Sequence, residues 1–285
     1  MGDWVVISLR TSENRATIHK ILPRKSKFSR KVAGVNTNEQ IVASNIDTIF
    51  LVNALNKDFN ARRIERYLIM AIESGATPVI LLSKADLCVD LEEKLKETQR
   101  VAAGTPIHII SASCEIGLDE LNQYLEPGRT IALLGSSGVG KSTLLNYLAG
   151  EVVQETNEVR EYDDRGRHTS TSREMFILDS GAIMIDTPGM RELRLWGGGD
   201  AIGEAFEDIE ELATQCRFSD CNHKQEPGCA IKQAIEDGLI DETRFKSYIR
   251  LQKEIKMIEK KQIDINRITC NKKSKKYIDQ KYRGL

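Results

Sequence analysis

The stretch GSSGVGKST, Gly135–Thr143, decides the fold. Gly135, Gly140, Lys141 and Ser142 fit the spacing G-x-x-x-x-G-K-[ST], in which glycines let backbone N–H groups turn inward around a phosphate. The flanks agree with this. The apolar run TIALLG (130–135) reads as a strand leading into the loop, and a helix is predicted from Lys141 to a stop at Gly150. A helix that starts there aims its positive dipole end at the same anion. Gly135, Ser136, Ser137, Gly138, Val139, Gly140, Lys141, Ser142 and Thr143 are therefore the candidate phosphate-binding set. Lys141 supplies a point charge for the outer phosphates and the Ser142 hydroxyl a ligand for Mg²⁺. The loop by itself does not choose between ATP and GTP.

Working outward, the strand AIMID ends in Asp186-Thr-Pro-Gly189. A carboxylate at that point can hold Mg²⁺ through water, and Gly189 lets a backbone N–H approach a γ-phosphate. The polar run RGRHTSTSRE (165–174) stands where a first switch segment belongs. In it Thr169 and Ser170, with Thr171, offer hydroxyls for Mg²⁺, and His168 is a candidate catalytic group. Met190 follows Asp186–Gly189, where many GTPases carry a water-orienting glutamine.

The base reader lies upstream of the loop. Ser83-Lys84-Ala85-Asp86 closes the apolar strand VILLS and resembles the N-K-x-D element of GTPases. There the aspartate accepts from two donors on the guanine edge, a pair that adenine lacks, and the lysine stem packs along the ring. Ser83 replaces asparagine, and its shorter side chain is expected to loosen the tie to the phosphate loop. Ser111-Ala112-Ser113 follows another strand and resembles the next guanine-contacting element. The usual order runs from phosphate loop to guanine elements. Here the guanine elements come first, so a circularly permuted GTP-binding domain is predicted, which a compact fold with neighbouring termini tolerates.

Strands and helices alternate from about residue 43 to 200, the pattern of a mostly parallel sheet flanked by helices. Within it a helix is expected from an Asn60 cap to a stop at Gly75. Strand-like runs precede it, with the basic stretch PRKSKFSRK connecting them to the next element, and a helical region opening at an Asp241 cap follows it, with only the tail NKKSKKYIDQKYRGL expected to be loose. The expected organisation is a small basic β module at 1–42, the nucleotide domain at 43–200 and a helical, metal-binding domain at 201–285. Net charge is −1, but residues 14–38 hold seven Lys or Arg and no acid, and residues 244–285 hold fourteen against four acids. Basic ends around an acidic middle suggest a polyanionic partner. No apolar run approaches the roughly 18 residues of a membrane span, and the N-terminus has no signal-peptide pattern, so a cytoplasmic protein is expected.

Cys216-x₄-Cys221-x-His223-x₅-Cys229 places three thiols and an imidazole within fourteen residues. A Cys₃His set suits one structural Zn²⁺ and leaves no open coordination position.

Taken together, the permuted guanine elements, RGRHTST, Met190 and the Cys-Cys-His-Cys spacing resemble the ribosome small subunit-dependent GTPase A family, RsgA, over nearly the whole chain. The resemblance implies an N-terminal OB-fold, a circularly permuted GTPase domain and a C-terminal zinc domain. It implies a role in late maturation of the small ribosomal subunit, GTP hydrolysis stimulated by that subunit, contact with rRNA, GTP/GDP with Mg²⁺ as nucleotide cofactors, and a monomer away from membranes. The family's switch histidine, a proposed catalytic residue, matches His168. Lys25, Lys27, Arg30 and Lys31 resemble a basic OB-fold loop suited to rRNA phosphates. In the family GDWV falls after earlier strands, whereas here it begins at Gly2, which implies an incomplete barrel or a shortened paralogue. A second reading, favoured by Met190, is a nucleotide-gated RNA- or ribosome-binding checkpoint with negligible turnover. A third, an ATP-dependent kinase or ATPase, is disfavoured by Asp86.

Overall fold

The computed structural model describes residues 1–10, 13–31, 39–154, 174–186 and 199–282. Two antiparallel strands open the chain, β1 (Val5–Arg10) and β2 (Arg15–Ile21). A second two-stranded sheet joins β3 (Lys27–Lys31) to β4 (Glu39–Ser44). The basic run, expected as a connector, thus contributes a strand of its own. The chain divides into two compact units, Met1–Arg30 with Ile41–Arg194, and Lys31–Gln40 with Leu195–Leu285.

The first unit is organised by six strands: β5 (Thr48–Ala54), β6 (Thr77–Ser83), β7 (Ile107–Ile109), β8 (Thr130–Gly135), β9 (Glu174–Ile177) and β10 (Ile183–Asp186). Their spatial order is β7-β6-β5-β8-β10-β9. All neighbours are parallel except β9, an antiparallel edge. Every residue of β5 is buried, as expected for a strand covered on both faces. Phe50, Val52 and Ala54 join Val79, Leu81, Ile131 and Leu133 on one face, packed against Leu144 and Leu145 of helix α3 (Lys141–Ala149). By alternation, Ile49, Leu51, Ile80 and Leu82 face the other way, towards helix α1 (Ala61–Ser74), which packs on β5 and β6.

Helix α1 has the ends its sequence predicts. The Asn60 side chain accepts from the Arg63 N–H at 3.1 Å, and Gly75 closes it at φ 82°. Helix α2 (Leu91–Val101), which the sequence reading did not single out, crosses from β6 to β7. The short edge strand β7 is pinned from its side chains. His108 bonds Glu120 at 2.6 Å and the Tyr124 hydroxyl at 2.9 Å, and the Tyr124 ring stands edge-on to Phe50. Helix α3 (Lys141–Ala149) follows β8.

The first residues of the chain are tied to the junction of β4 and β5. Ser44 N–H donates to the Met1 carbonyl, and the Asn45 amide donates to the Gly2 carbonyl at 2.7 Å. Gly2 sits at φ 85°, and a Cβ there would come within 2.1 Å of the Ser44 carbonyl oxygen, so no other residue fits. Arg24 forms a bidentate pair with Asp3 (2.6 and 2.9 Å), and the Ser44 hydroxyl donates to the same carboxylate at 2.8 Å.

The second unit holds α4 (Gly199–Ala205), α5 (Glu207–Thr214), α6 (Ala230–Glu236) and α7 (Glu242–Tyr282). Arg244 is buried, with its guanidinium over the Phe206 ring, bidentate on Asp208 (3.2 and 2.9 Å) and donating to the Ala205 carbonyl. Asp241 caps α7 through the Thr243 N–H at 2.7 Å, as its sequence suggested. Arg244, Tyr248, Leu251 and Ile255 form its buried stripe. The tail expected to be loose is instead helical to Tyr282. It holds good helix formers, Lys and Gln, and meets no glycine or proline before Gly284.

The Asp3–Arg24 pair makes a stability prediction. Arg24, by its hydrogen bond, and then Ser44 outweigh burial and hold the Asp3 carboxyl at about 2, below its ordinary 3.8. Because the folded value is depressed, the stabilisation is full above the ordinary value and is lost as pH falls through it towards 2. Asp3→Asn is expected to lower the unfolding free energy by about 1 kcal/mol at neutral pH and by much less near pH 2, read from urea unfolding at both pH values.

Candidate functional site

Strand β8 delivers the chain to the phosphate loop beside β5. A Cβ on Gly135 would come within 2.5 Å of the Val52 carbonyl oxygen, so glycine is required by the close approach of the two backbones. Gly138 (φ 74°) and Gly140 (φ 95°) take left-handed conformations that turn the loop into the first turn of α3. Val139, between them, is 1% exposed and anchors the loop in the core. Lys141 Nζ donates to the carbonyls of Gly135 (2.9 Å) and Ser136 (2.6 Å), so its ammonium lies within the loop. Ser137 is exposed at its crest, and Thr143 is half-buried in the first turn of α3. N–H groups, helix terminus and ammonium together suit a polyphosphate.

Two residues that the sequence reading missed brace this loop from the β5–α1 connection. Arg63 pairs with Asp58 in a fork (2.6 and 3.1 Å), and its NH1 also donates to the Ser136 hydroxyl at 2.7 Å. Ser136 in turn donates to Asp58 at 2.9 Å. The Arg63 hydrogen bond, followed by that from Ser136, keeps the Asp58 carboxyl below its ordinary range despite partial burial. Asp58 and Arg63 flank the Asn60 cap, but no motif spacing marks their reach to a loop 73 residues away.

The guanine-reading candidates occupy adjacent strand ends. Ser83 closes β6, is buried, and donates to the Val139 carbonyl at 2.7 Å. This corrects the expectation of a loosened tie, because β6 brings the short side chain close enough to reach the loop directly. Lys84 is left-handed at φ 59°, an uncommon state for a residue with a side chain, and opens the 3₁₀ turn Ala85–Leu87. The Ala85 N–H donates to the Ile110 carbonyl, and the buried Ser111 hydroxyl donates to Asp86 Oδ1 at 2.5 Å. Half-buried Ala112 follows Ser111 on the same turn. The two elements are thus joined, with Asp86 exposed and its carboxylate oriented.

Ser142 on α3 and Asp186 at the end of β10 converge on the amide of Gln154, which accepts from the Ser142 hydroxyl at 2.9 Å and donates to Asp186. A hydroxyl and a carboxylate one amide apart are hard oxygen donors, a set suited to Mg²⁺. His168, Thr169, Ser170 and Gly189 lie outside the described residues.

In the second unit Cys216, Cys221, His223 and Cys229 gather between α5 and α6, with their ligand atoms all within 4.8 Å of one another. Three of the six edges are 3.9 Å for Cys216–Cys229, 3.6 Å for Cys216–His223 and 3.5 Å for Cys229–His223, and the three to Cys221 are at most 4.8 Å. A tetrahedron drawn with Zn–S bonds has edges of about 3.8 Å, which the Cys216, His223 and Cys229 atoms match, with Cys221 close enough to supply the fourth corner. His223 is left-handed at φ 58°, and the Phe245 ring stands edge-on to its imidazole. Glu226 closes the turn by accepting from the N–H groups of Asn222, Lys224 and Gln225.

A separate cavity of about 360 Å³, lined by Lys25, Asp47, Tyr124 and Arg129 among others, lies at the N-terminal ends of β5, β6 and β8. The phosphate loop and the Ser83–Asp86 turn occupy the opposite, C-terminal ends, where ligands of parallel sheets bind. Among the described residues, no helix is long and apolar enough to cross a membrane.

A phosphate loop on β8 with guanine-type elements on the earlier β6 and β7, all in one contiguous sheet, defines a circularly permuted P-loop GTPase. A family profile described as RsgA GTPase matches residues 21–196, and one described as 50S ribosome-binding GTPase matches 130–272, starting at β8. A protein of Methanosarcina acetivorans called small ribosomal subunit biogenesis GTPase RsgA is 46% identical over 92% of this chain and 71% of its own length. A relative of Lactiplantibacillus plantarum called small ribosomal subunit biogenesis GTPase RsgA 2 is 46% identical over 99% of this chain and 80% of its own length. The crystal structure of YjeQ from Thermotoga maritima superposes with a TM-score of 0.65 at 28% identity, covering 89% of this chain and 83% of that one. YloQ, described as a circularly permuted GTPase, gives 0.60 at 25% identity, covering 90% and 80%. The chain belongs to the RsgA GTPase family.

The Ser83 bond can be tested directly. Ser83→Ala leaves the Val139 carbonyl without this donor in a buried setting and is expected to cost about 1–2 kcal/mol of stability, measured by urea unfolding.

Proposed function

We propose that this GTPase acts in late maturation of the small ribosomal subunit, with the subunit as activator and rRNA as a contact. The observation that carries the nucleotide part is the pair of bonds Ser83–Val139 and Ser111–Asp86. They join the proposed base-reading turn after β6 to the proposed phosphate loop after β8, two strands apart at the same end of the sheet, although the chain presents them in reversed order. In this reading residues 135–143 hold the phosphates, and Lys84, Ala85, Asp86, Ser111 and Ala112 hold guanine. Asp86 accepts from its two edge donors. Ser142, Asp186 through water, and the hydroxyl of either Thr169 or Ser170 would hold Mg²⁺, and the Gly189 N–H would approach the γ-phosphate. When bound, Mg²⁺ would supply charge neutralisation at the phosphates. His168, matching the family's switch histidine, would position the attacking water.

The ribosomal part is supported by the relatives named for small-subunit biogenesis and by the basic segments at both ends of the chain. Lys25, Lys27, Arg30, Lys31 and the basic face of α7 would meet phosphates of rRNA, with binding that weakens steeply as salt rises. The domains are proposed at 1–42, 43–200 and 201–285. The thiol–imidazole cluster holds one structural Zn²⁺ that stabilises the helical unit. A cytoplasmic monomer without membrane contact fits this role. The checkpoint reading, with negligible turnover, is favoured by Met190, which cannot orient water.

Steady-state GTP hydrolysis with and without purified small ribosomal subunits, for the native chain and for His168→Ala, tests the proposal. Strong stimulation of the native chain, reduced about a hundredfold or more in the variant, is expected. Tight GTP binding with no stimulation would overturn the activated-GTPase reading and leave the checkpoint. Asp86→Asn should weaken GDP binding by about a hundredfold or more through two lost charge-assisted bonds, measured by calorimetry. Metal analysis should find one zinc per chain in the native protein and less in Cys221→Ser, with a lower melting temperature.

A further inference from the structure

Gln154 is not part of any motif, yet its side chain joins the two residues assigned to Mg²⁺. Ser142 Oγ donates to its Oε1 at 2.9 Å, and its Nε2 donates to Asp186 Oδ2. The amide orientation follows from chemistry, since a carboxylate only accepts and must face the NH₂ group. The backbone at this point is fixed separately. Asn146, one helical turn beyond Ser142 on α3, accepts from the N–H groups of Val153 (3.1 Å) and Gln154 (2.9 Å). Its own amide donates to the Gln154 carbonyl at 2.8 Å. Residue 154 is therefore held to α3 by its main chain, and its side chain can rotate without moving the backbone that Asn146 grips.

We propose that Gln154 competes with Mg²⁺. Its amide holds Ser142 and Asp186 as a closed pair, and the ion displaces that side chain to reach them. This rests on the nucleotide reading above. A hydroxyl that ligates a cation turns a lone pair to it and points its proton elsewhere, so Ser142 cannot keep its bond to Oε1. A carboxylate that receives a metal-bound water uses the lone pair now facing Nε2. The amide NH₂ presents partial positive charge to Asp186, as the hydrated ion would. One neutral bond and one charge-assisted bond are given up on metal entry, partly regained from water. The competition is therefore worth about tenfold in apparent Mg²⁺ affinity. Gln154 thus keeps the two oxygens preorganised while raising the Mg²⁺ concentration needed to lock a nucleotide in place.

The test uses the full chain loaded with fluorescently labelled GDP, with the release rate measured across a Mg²⁺ series from EDTA upward. For Gln154→Ala, half-maximal slowing of release is expected at about tenfold lower Mg²⁺ than in the native chain. Gln154→Asn, one methylene too short to bridge the pair, should shift the same way. A purely structural glutamine would alter the melting temperature and leave the Mg²⁺ midpoint in place. An unchanged or raised Mg²⁺ requirement in both variants would overturn the proposal. If the native chain fails to retain labelled GDP at any Mg²⁺ concentration, the nucleotide reading fails first, and this inference with it.

Discussion

Parallel pairing of β5 with β8 is the constraint on which the rest of the first unit depends. Their paired residues, such as Thr48 and Ile131, lie 83 positions apart in sequence and meet only because the chain folds back through β6 and β7 between them, and Val52 ends up opposite Gly135. That contact is closer than any side chain at 135 would allow. It sets the phosphate loop directly beside the β5–α1 connection, where Asp58 and Arg63 grip Ser136, and one strand further along lies Ser83. A permuted chain order is harmless under this arrangement. Strand neighbours are chosen by buried apolar faces and backbone hydrogen bonds, neither of which records which strand was made first.

Charge and burial are divided between the ends of the sheet. The middle of β5, β6 and β8 is apolar on both faces, while the polar machinery collects at the C-terminal ends, where turns free side chains from the sheet. Each polar group there is held by a partner from a different element: Ser83 by the loop backbone, Asp86 by Ser111, Ser142 and Asp186 by Gln154. Such cross-links fix positions that the backbone alone would leave adjustable. The second unit follows a different economy. Among its described residues the large buried apolar side chains are Ile202, Phe206, Ile209, Ile231, Ile240 and those of the first turns of α7, and the Cys-Cys-His-Cys turn links α5 to α6 beside them.

Much of this was legible in residue types and spacing. The alternation of strand and helix, the Asn60 and Gly75 caps, the phosphate loop and the thiol–imidazole cluster rest on local patterns of a few residues, and the structure places them as those patterns indicate. The misreadings have local causes too. The tail is rich in Lys and polar residues, which resembles a loose segment, but those residues are also good helix formers and extend α7. Ser83 looked too short by comparison with asparagine, a judgement about side-chain length that ignores how near β6 carries its backbone to the loop.

What the sequence by itself determined is the identity of the chemical groups and their local geometry: glycines where φ is positive, a lysine and a serine at the head of a helix, thiols at metal spacing. What only the tertiary structure decided is which distant groups meet. Asp58 and Arg63 reach Ser136 across 78 and 73 residues, and Gln154 reaches Asp186 across 32. Those meetings follow from sheet order and helix packing, which are set by the burial of apolar surface summed over the whole domain. A local pattern carries no record of that sum, so a bridging glutamine reads in sequence as an ordinary polar residue.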